Sequence, residues 1–380
     1  MNDDTADILL VGIGGGGCRF ASSTARRFGP GIHAVGFDTD AATSRSVSGM
    51  RCLLLGASRL DGQGTGGDAV KGHAAADDSA EVIASAISSA RMAVVVAAQG
   101  GGVGTGATPV ILSALRSRGV PTLCVVTLPF EFEGHGRTAA AIRALPVIEE
   151  STDAVVAMRL DDLYGDVTGA PLSEAMIAAE ERLGDALSLL WSLVLNPGYI
   201  SLGPAFLASL LSQSSGRCRF AVASAEGEGR ASEAVGLLCR SPMLGASPSL
   251  DGVQAVLLGV LAGGDLRLKE LSDISGRLRG VLPQSCSFNL STVLDERYAG
   301  SVRLIALFFD SIRPEAQPAE ESIEEFKSQP THRTRRRSRN GDGRLAPGER
   351  DRFQGIEGTF IDGENLDIPT YQRLRIRLDR

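Results

Sequence analysis

The residues best suited to chemistry in this chain are glycines, and they come in two dense runs. The first is Gly12-Ile13-Gly14-Gly15-Gly16-Gly17-Cys18, and the second is Gln99-Gly100-Gly101-Gly102-Val103-Gly104-Thr105-Gly106. Each follows an apolar run and leads into a stretch with helical spacing. Glycine tolerates positive φ and lets backbone N–H groups come close to an anion. At a helix start those amides are unpaired and carry the positive end of the helix dipole, so such a loop suits phosphate. One G-x-G-x-x-G run fits a dinucleotide as readily as a mononucleotide. Two runs at two strand–helix junctions imply a cradle with donors on both sides, and both are longer than a tight turn requires. No G-x-x-x-x-G-K-[ST] sequence occurs, so this is not a P-loop enzyme.

These loops need elements to hold them. Residues 8–11, 34–37, 93–97 and 122–126 are short apolar runs of the kind that form buried parallel strands. Helical spacing separates them, as in residues 81–90. Strand–helix alternation predicts an α/β fold with a doubly wound parallel sheet. Residues 174–195 form one long helical pattern, weakened slightly at Gly184 and stopped by Asn196-Pro197-Gly198. Apolar runs at 220–223, 255–262, 286–292 and 302–309 then predict a second, smaller α/β domain. Residues 313–352 lose periodicity and carry Thr331-His332-Arg333-Thr334-Arg335-Arg336-Arg337-Ser338-Arg339, a composition expected of a disordered linker. Apolar spacing returns at 353–380. The expected division is therefore 1–173 for nucleotide binding, 174–198 for a central helix, 199–312 for the second domain, 313–352 for a basic linker and 353–380 for a tail.

Composition narrows the function. Apolar residues make up 43% of 380 residues, enough for a large core, while aromatics are only 5%, so Ala, Val, Leu and Ile must build it. A net charge of −7 argues against a general nucleic-acid binder. The six cysteines are far apart with no C-x-x-C and few histidines, so neither a zinc site nor a disulfide framework is expected. The acidic N-terminus lacks the basic region of a secretory signal, and no uncharged apolar stretch reaches the roughly 20 residues of a membrane span. A cytoplasmic protein is expected.

The residues from 97 to 137 resemble the signature of the tubulin/FtsZ superfamily, G-G-G-T-G-T-G-x-x-P followed by P-F-x-F-E-G-x-x-R. Here these read Gly100-Gly101-Gly102-Val103-Gly104-Thr105-Gly106 with Pro109, then Pro129-Phe130-Glu131-Phe132-Glu133-Gly134-His135-Gly136-Arg137. Gly62-Gln63-Gly64-Thr65-Gly66-Gly67-Asp68 is similar to a third phosphate loop of the family. Gly263-Gly264-Asp265-Leu266-Arg267-Leu268 is similar to its G-x-D-L-x-L. The resemblance covers some 300 residues of this chain and is to FtsZ far more than to eukaryotic tubulin. It implies a Rossmann-like GTP-binding domain, a long central helix and a smaller α/β domain, with GTP or GDP bound and Mg2+ as a possible companion. By the same resemblance Gly14, Gly15, Gly16, Gly17, Cys18, Arg19, Thr39 and Asp40 line the site. So do Gly64, Gly66, Gly67 and the loop Gly100, Gly101, Gly102, Val103, Gly104, Thr105 and Gly106. Glu133 would accept from ribose hydroxyls, and Arg137 would lie near the nucleotide.

The chain also departs from that pattern. Arg19 and Asp38 each stand where the family has Asn, and Leu160 replaces another Asn. Glu180 and Glu181 occupy an Asn-Asp pair, so one carboxylate, preferably Glu181, is expected to read guanine. Val103 replaces a Thr and removes a hydroxyl from the cradle. The resemblance implies that the loop after the central helix completes the neighbouring subunit's site with two Asp. Here those positions are Gly203 and Phe206, and no Asp or Glu lies between Asp185 and Glu226. No catalytic residue is therefore assigned, and weak or absent GTP hydrolysis is expected, because loss of a positioned acid–base group typically costs about 10²–10⁴-fold. The more apolar loop of Leu202, Pro204 and Phe206 implies an altered subunit contact or a cover over the domain junction.

Near the end, Leu366-Asp367-Ile368-Pro369-Thr370-Tyr371-Gln372-Arg373 resembles the C-terminal FtsZ peptide L-D-I-P-x-F-L-R. The resemblance implies docking on an FtsA-, ZipA- or SepF-like membrane adaptor, so the membrane is reached only indirectly. Leu366, Ile368 and Tyr371 would fill apolar pockets while Pro369 limits the ordering cost; Asp367 and Arg373 complete the motif. The expected function is a guanine-nucleotide-binding, self-associating scaffold, as a head-to-tail filament or a dimer, in cell division or membrane remodelling. Two alternatives remain: a fully active division GTPase, and a nicotinamide-dependent oxidoreductase using Asp38 or Asp40 on a ribose.

Overall fold

The computed structural model describes residues 8–29, 31–164, 171–196, 198–245, 249–312, 360–361 and 364–365. The chain begins with β1 (Ile8–Ile13), α1 (Gly14–Phe28), β2 (His33–Asp38), α2 (Ala41–Ser46), β3 (Arg51–Leu54), α3 (Ala57–Leu60), α4 (Ala69–Asp77) and α5 (Ala80–Ala86). It continues with β4 (Met92–Ala98), α6 (Gly102–Ser117), β5 (Thr122–Leu128), α7 (His135–Ser151), β6 (Ala154–Arg159) and α8 (Leu160–Tyr164). The six strands form one sheet in the order β3-β2-β1-β4-β5-β6, with every pairing parallel. Central strands buried on both faces must be apolar throughout, and β1 and β4 are. Leu9, Val11 and Ile13 of β1 join one core cluster, with α4, α5 and α6 above it; Ile8 and Leu10 join the opposite one.

That opposite cluster is shared with α9 (Leu172–Leu195) and α10 (Pro204–Gln213). α9 lies along α1, and Gly184 marks the closest approach: a Cβ there would sit 2.6 Å from Ser23 Oγ. The glycine that weakens helix propensity is what lets the two helices meet. Further along, Leu193 of α9 crosses the second sheet at Gly259, whose added Cβ would fall 2.6 Å from Leu193 Cδ1. The second sheet comprises β7 (Cys218–Glu226), β8 (Ala255–Ala262), β9 (Ser287–Leu294) and β10 (Ser301–Phe309), ordered β7-β10-β8-β9. Only β8 and β9 pair in parallel. Its far face is covered by α11 (Arg230–Cys239) and α12 (Leu268–Arg279). One core cluster thus spans the near faces of both sheets with α9 between them.

Sequence patterning missed three elements that position the site. Both β3 and β6 are edge strands; β3 is four residues long and half exposed, whereas β6 carries an apolar run at 154–158 that the strand reading passed over. α10, expected within the second domain, packs Leu207, Leu210 and Leu211 into the cluster that also holds Val125 of β5. The helical run expected over 81–90 stops at Ala86. The part from Pro318 onward is a separate unit. Its described residues are a two-stranded antiparallel pair, β11 (Phe360–Ile361) with β12 (Glu364–Asn365). The expected linker 313–352 and the peptide Leu366–Arg373 lie outside the described residues.

Candidate functional site

The order of the first sheet reverses between β1 and β4, and both glycine runs leave the sheet there. In open α/β sheets a crevice forms at this point, at the carboxyl ends of the strands. α1 starts at Gly14 and α6 at Gly102 with Gly101 as its N-cap, so two helix N-termini face one crevice. Neither N-cap is satisfied by a side chain. Their first-turn amides therefore remain available to an anion.

The glycines divide into two kinds once packing is inspected. Gly14, at φ +70°, lies against the other loop: an added Cβ would be 2.9 Å from the Gly104 nitrogen. Gly16 would strike Ala98 Cβ at 2.6 Å, Gly17 would strike the Val96 carbonyl, and Gly104 the Ala98 carbonyl. Gly102 is met by Thr65 Oγ1 of the loop before α4, and Gly106 by the Ala69 carbonyl at the start of α4. These six permit close approach of the loops to neighbouring backbone and side chains. Gly66 (φ +63°), Gly67 (φ +85°) and Gly101 face open space, with nothing within 4 Å of an added Cβ. Those three are free to present backbone to a ligand. Gly100, at φ +89°, instead abuts Pro129 and the Arg137 backbone, which joins the α6 loop to the start of α7.

A polar framework fixes the loops. Gln99 donates from Nε2 to the Gly104 carbonyl at 2.9 Å, Thr105 Oγ1 accepts from the Gly100 N–H at 2.9 Å, and Thr108 donates to the Gly104 carbonyl. Asp68 caps α4, accepting from the N–H groups of Val70 and Lys71. The Gly64 N–H donates to the Thr39 carbonyl, and Asp40 caps α2 through the Ala42 N–H, so residues 39–40 and 62–64 form one wall. Asp38 is buried beneath it and accepts from the Thr39 N–H and the Thr43 hydroxyl. Burial pushes its carboxyl above the usual range despite those bonds. Cys18 is also buried; contact with the Cys52 thiol, then burial, push its thiol well up, so it is a packed thiol and not a nucleophile. Gln99 as a clamp across the second glycine loop was not anticipated; only its place between β4 and the glycines could have suggested it.

At the edges, Glu133 Oε1 accepts from the Phe130 N–H at 3.0 Å while Oε2 accepts from Arg137 Nη1 at 2.5 Å. The pair is held next to Gly100. On the other side, Arg19 leans back over the first turn of α1, as long helical side chains do. Its Nε donates to Glu180 Oε1 of α9 at 2.7 Å. Glu181 instead faces Arg27 at 3.5 Å, about two turns farther along α1. Glu180's side chain is 19% exposed and Glu181's 58%. Leu160 and Val103 are both buried in the core, so neither offers a polar atom to the crevice.

The crevice fits a phosphate-bearing ligand on observations of its own. Thr39 Oγ1 and Gln99 Oε1 are buried without a hydrogen-bond partner, a state native structures seldom leave uncompensated. The open backbone at Gly66, Gly67 and Gly101 supplies the other half of a cradle.

The loop after α9 has a different character. Ile200 and Thr292 of β9 exchange bonds, the Ile200 N–H donating to Thr292 Oγ1 at 3.1 Å and the Thr292 N–H to the Ile200 carbonyl at 2.7 Å. Leu202 and Phe206 pack on the shared core, whereas Tyr199 is 93% exposed. Gly203 is the N-cap of α10, Pro204 opens the helix, and its first turn contains no acidic residue.

A parallel sheet with paired glycine loops at its order reversal, a long helix and a second mixed sheet define a two-part nucleotide-binding α/β protein. The GTPase-domain profile of the tubulin/FtsZ family matches residues 7–168, and the FtsZ family C-terminal domain profile matches residues 216–310. An FtsZ dimer from M. jannaschii, solved empty, shares 29% identity, covering 80% of this chain and 88% of that one with a TM-score of 0.73. CetZ2 from Haloferax volcanii, solved as a GTPγS-bound protofilament, shares the fold at 22% identity and TM-score 0.67, covering 85% and 100%. CetZ1 from the same organism, a GDP-bound monomer, does so at 19% and 0.68, covering 80% and 93%. The chain belongs to the tubulin/FtsZ superfamily.

Proposed function

We propose that the protein is a guanine-nucleotide-dependent, self-associating scaffold whose hydrolytic step is weak or absent. The observation that carries this reading is the contrast between its two nucleotide-facing regions. The loops at the β1/β4 crevice keep open backbone, free helix N-termini and unpartnered buried polar atoms. The loop entering α10 has an N-cap glycine and a packed phenylalanine where a neighbour's site would need carboxylates.

In this reading, the first-turn amides of α1 and α6 and the open backbone of residues 66–67 hold the phosphates. Glu133 accepts from ribose, sharing oxygens already fixed by Phe130 and Arg137. Mg2+, if bound with the nucleotide, would supply charge neutralisation at the phosphates. The solved FtsZ dimer and CetZ2 protofilament support assembly of this chain with itself. With no acidic side chain in the first turn of α10, water at a subunit junction lacks a positioned base, and nucleotide occupancy rather than turnover governs assembly. Recruitment to a membrane or division site through residues 366–373 and an FtsA-, ZipA- or SepF-like adaptor completes the proposal, in a cytoplasmic setting. Among the described residues no helix is long and apolar enough to cross a membrane.

GTP turnover measured at rising protein concentration tests the central claim. A low rate without steep concentration dependence is expected; a cooperative rise to rates of an active division GTPase overturns it. Sedimentation with GTP, with GDP and without nucleotide reports assembly on the same preparation. Deleting residues 354–380 should abolish membrane-site localisation of a fluorescent fusion and leave nucleotide affinity unchanged; retained localisation refutes the tail assignment.

A further inference from the structure

Cys18 and Cys52 lie far apart in the sequence, and the fold brings their thiols into contact. Gly12 of β1, Gly36 of β2 and Cys52 of β3 stand in one row across the sheet. Cys18 hangs over that row from the start of α1, with Sγ 3.5 Å from the Gly12 carbonyl and 3.8 Å from that of Phe37. The glycines leave the hollow that the sulfurs fill. A Cβ on Gly36 would lie 2.9 Å from Cys18 Sγ and 3.3 Å from Cys52 Sγ. Cys18 is fully buried, whereas Cys52 is half-buried on a short edge strand. Hydrogen bonding between the thiols holds Cys52 below the usual thiol range and raises Cys18, so Cys52 ionises first.

Those positions suit one reaction. The Cys52 thiolate attacks a low-molecular-weight disulfide, forms a mixed disulfide and releases one small thiolate, which takes up a proton. Cys18, closed to any external reagent, has only Cys52 Sγ within reach. Its sulfur bonds there, its proton leaves with the second small thiol, and the Cys18–Cys52 disulfide closes. The protein gives up two electrons, and the small disulfide becomes two thiols. We infer that Cys18 and Cys52 form a reversible dithiol modification site whose closure weakens nucleotide binding, the weakening resting on the nucleotide-binding reading above. An S–S bond is about 2.0 Å long, against about 3.5–4.0 Å for atoms in ordinary contact, so the two elements must approach. Cys18 cannot yield: its Cα lies 2.8 Å from a Cβ built on Gly12, and Gly17 beside it abuts the Val96 carbonyl. β3 yields instead. It runs on through Leu55, whose N–H donates to the Asp38 carbonyl, towards Gly64, whose N–H donates to the Thr39 carbonyl. Closing the bond therefore shifts the wall that carries the open backbone of Gly66 and Gly67.

The test equilibrates the full chain in glutathione buffers of rising oxidised fraction, with and without GDP, then alkylates free thiols and digests with trypsin. Cleavage after Arg19, Arg51 and Arg59 should leave peptide 1–19 joined to peptide 52–59 in oxidised wild type, and dithiothreitol should part them. GDP should bind the disulfide form about tenfold more weakly than the reduced form, within the usual range for coupled sites. Reciprocity then requires saturating GDP to disfavour oxidation by the same factor, raising the midpoint potential by about 30 mV. Cys52→Ala, with its urea midpoint measured alongside, should keep the reduced affinity and lose the response to oxidant. Cys239 and Cys286 are also half-buried, so a response retained in Cys52→Ala would assign the effect to them and overturn the inference. Absence of the joined peptide overturns the site, and a joined peptide with equal or tighter GDP binding overturns the coupling. Reduced wild type that binds no guanine nucleotide refutes the nucleotide-binding reading and the coupling with it, while the peptide map still decides whether the thiols pair.

Discussion

Substituting alanine at Gly101 and at Gly104 should separate the two kinds of glycine within one loop. At Gly104 the new methyl carbon would fall on the Ala98 carbonyl, 3.0 Å from its carbon and 3.6 Å from the Ala98 nitrogen. The carbonyl oxygen itself would lie only 2.0 Å away, while comfortable contacts are about 3.5 Å, so α6 must retreat from β4 by roughly 1–1.5 Å. Overpacking of that size costs about 1–3 kcal/mol. The Gly104 carbonyl also accepts from Gln99 and Thr108, and disturbing those bonds adds about 1 kcal/mol each. A loss of about 2–5 kcal/mol is expected in urea unfolding. Gly101 has φ −94° and ψ 174°, extended backbone open to any residue, and faces empty space. Its alanine variant should unfold within about 0.5 kcal/mol of wild type, while a methyl in the cradle lowers GTP affinity about tenfold or more. Both quantities come from one preparation by denaturant titration and equilibrium binding. Undiminished GTP affinity in Gly101→Ala would refute the assignment of that open face to phosphate. Wild-type stability in Gly104→Ala would refute the close-approach argument.

Other outcomes follow from named contacts. Arg230 has a side chain only 6% exposed and is held by Glu270 (2.7 and 3.1 Å) and Asp265 (2.7 Å), tying α11 to α12. Arg230→Met should destabilise by about 2–3 kcal/mol, below the full cost of breaking a buried pair because both carboxylates regain water. The arginine holds Glu270 and Asp265 below their usual ranges. Their contribution is therefore present above the unfolded value near pH 4 and lost as pH falls through the folded ones. The gap between wild type and Arg230→Met should close on acidification from about pH 6 to 3, and a gap constant with pH contradicts the pairing. Asp38 has the opposite sign: its raised carboxyl favours the fold below the unfolded value and loses that contribution as pH rises. Asp38→Asn should gain up to about 1 kcal/mol at pH 7 relative to pH 4, read by thermal melts at both. Gly203→Asp enters an N-cap with open space around it and should stabilise α10 by a few tenths of a kcal/mol. If the missing carboxylate limits hydrolysis, the variant's turnover at high protein concentration rises about tenfold or more; an unchanged rate shows that the carboxylate alone is not the deficit.

Much of the fold was legible because parallel strands buried on both faces are apolar throughout and glycine runs punctuate them. β1, β2, β4 and β5 announce themselves that way, the four strands of the mixed second sheet by shorter apolar runs, and α9 by its long helical spacing. Edge strand β3 does not, because it is short and its exposure frees its composition; β6 is apolar at 154–158 and was passed over for its small alanines and short length. α10 looks like any apolar helix, and only packing decides that it lies against β5.

For the site, residue types at strand–helix junctions determined that phosphate-binding loops exist, and the missing acids between Asp185 and Glu226 are plain in the sequence. Which glycines face a ligand was not. Gly104 and Gly101 are indistinguishable as letters, and they differ only because Ala98 stands against one and nothing against the other. Which of Glu180 and Glu181 pairs with Arg19 was likewise beyond sequence. A step of one residue rotates a side chain by about 100° on a helix, and the packing of α9 on α1 through Gly184 fixes which carboxylate meets Arg19. Spacing along the chain places the two carboxylates side by side; the close approach of two helices selects which of them meets the arginine.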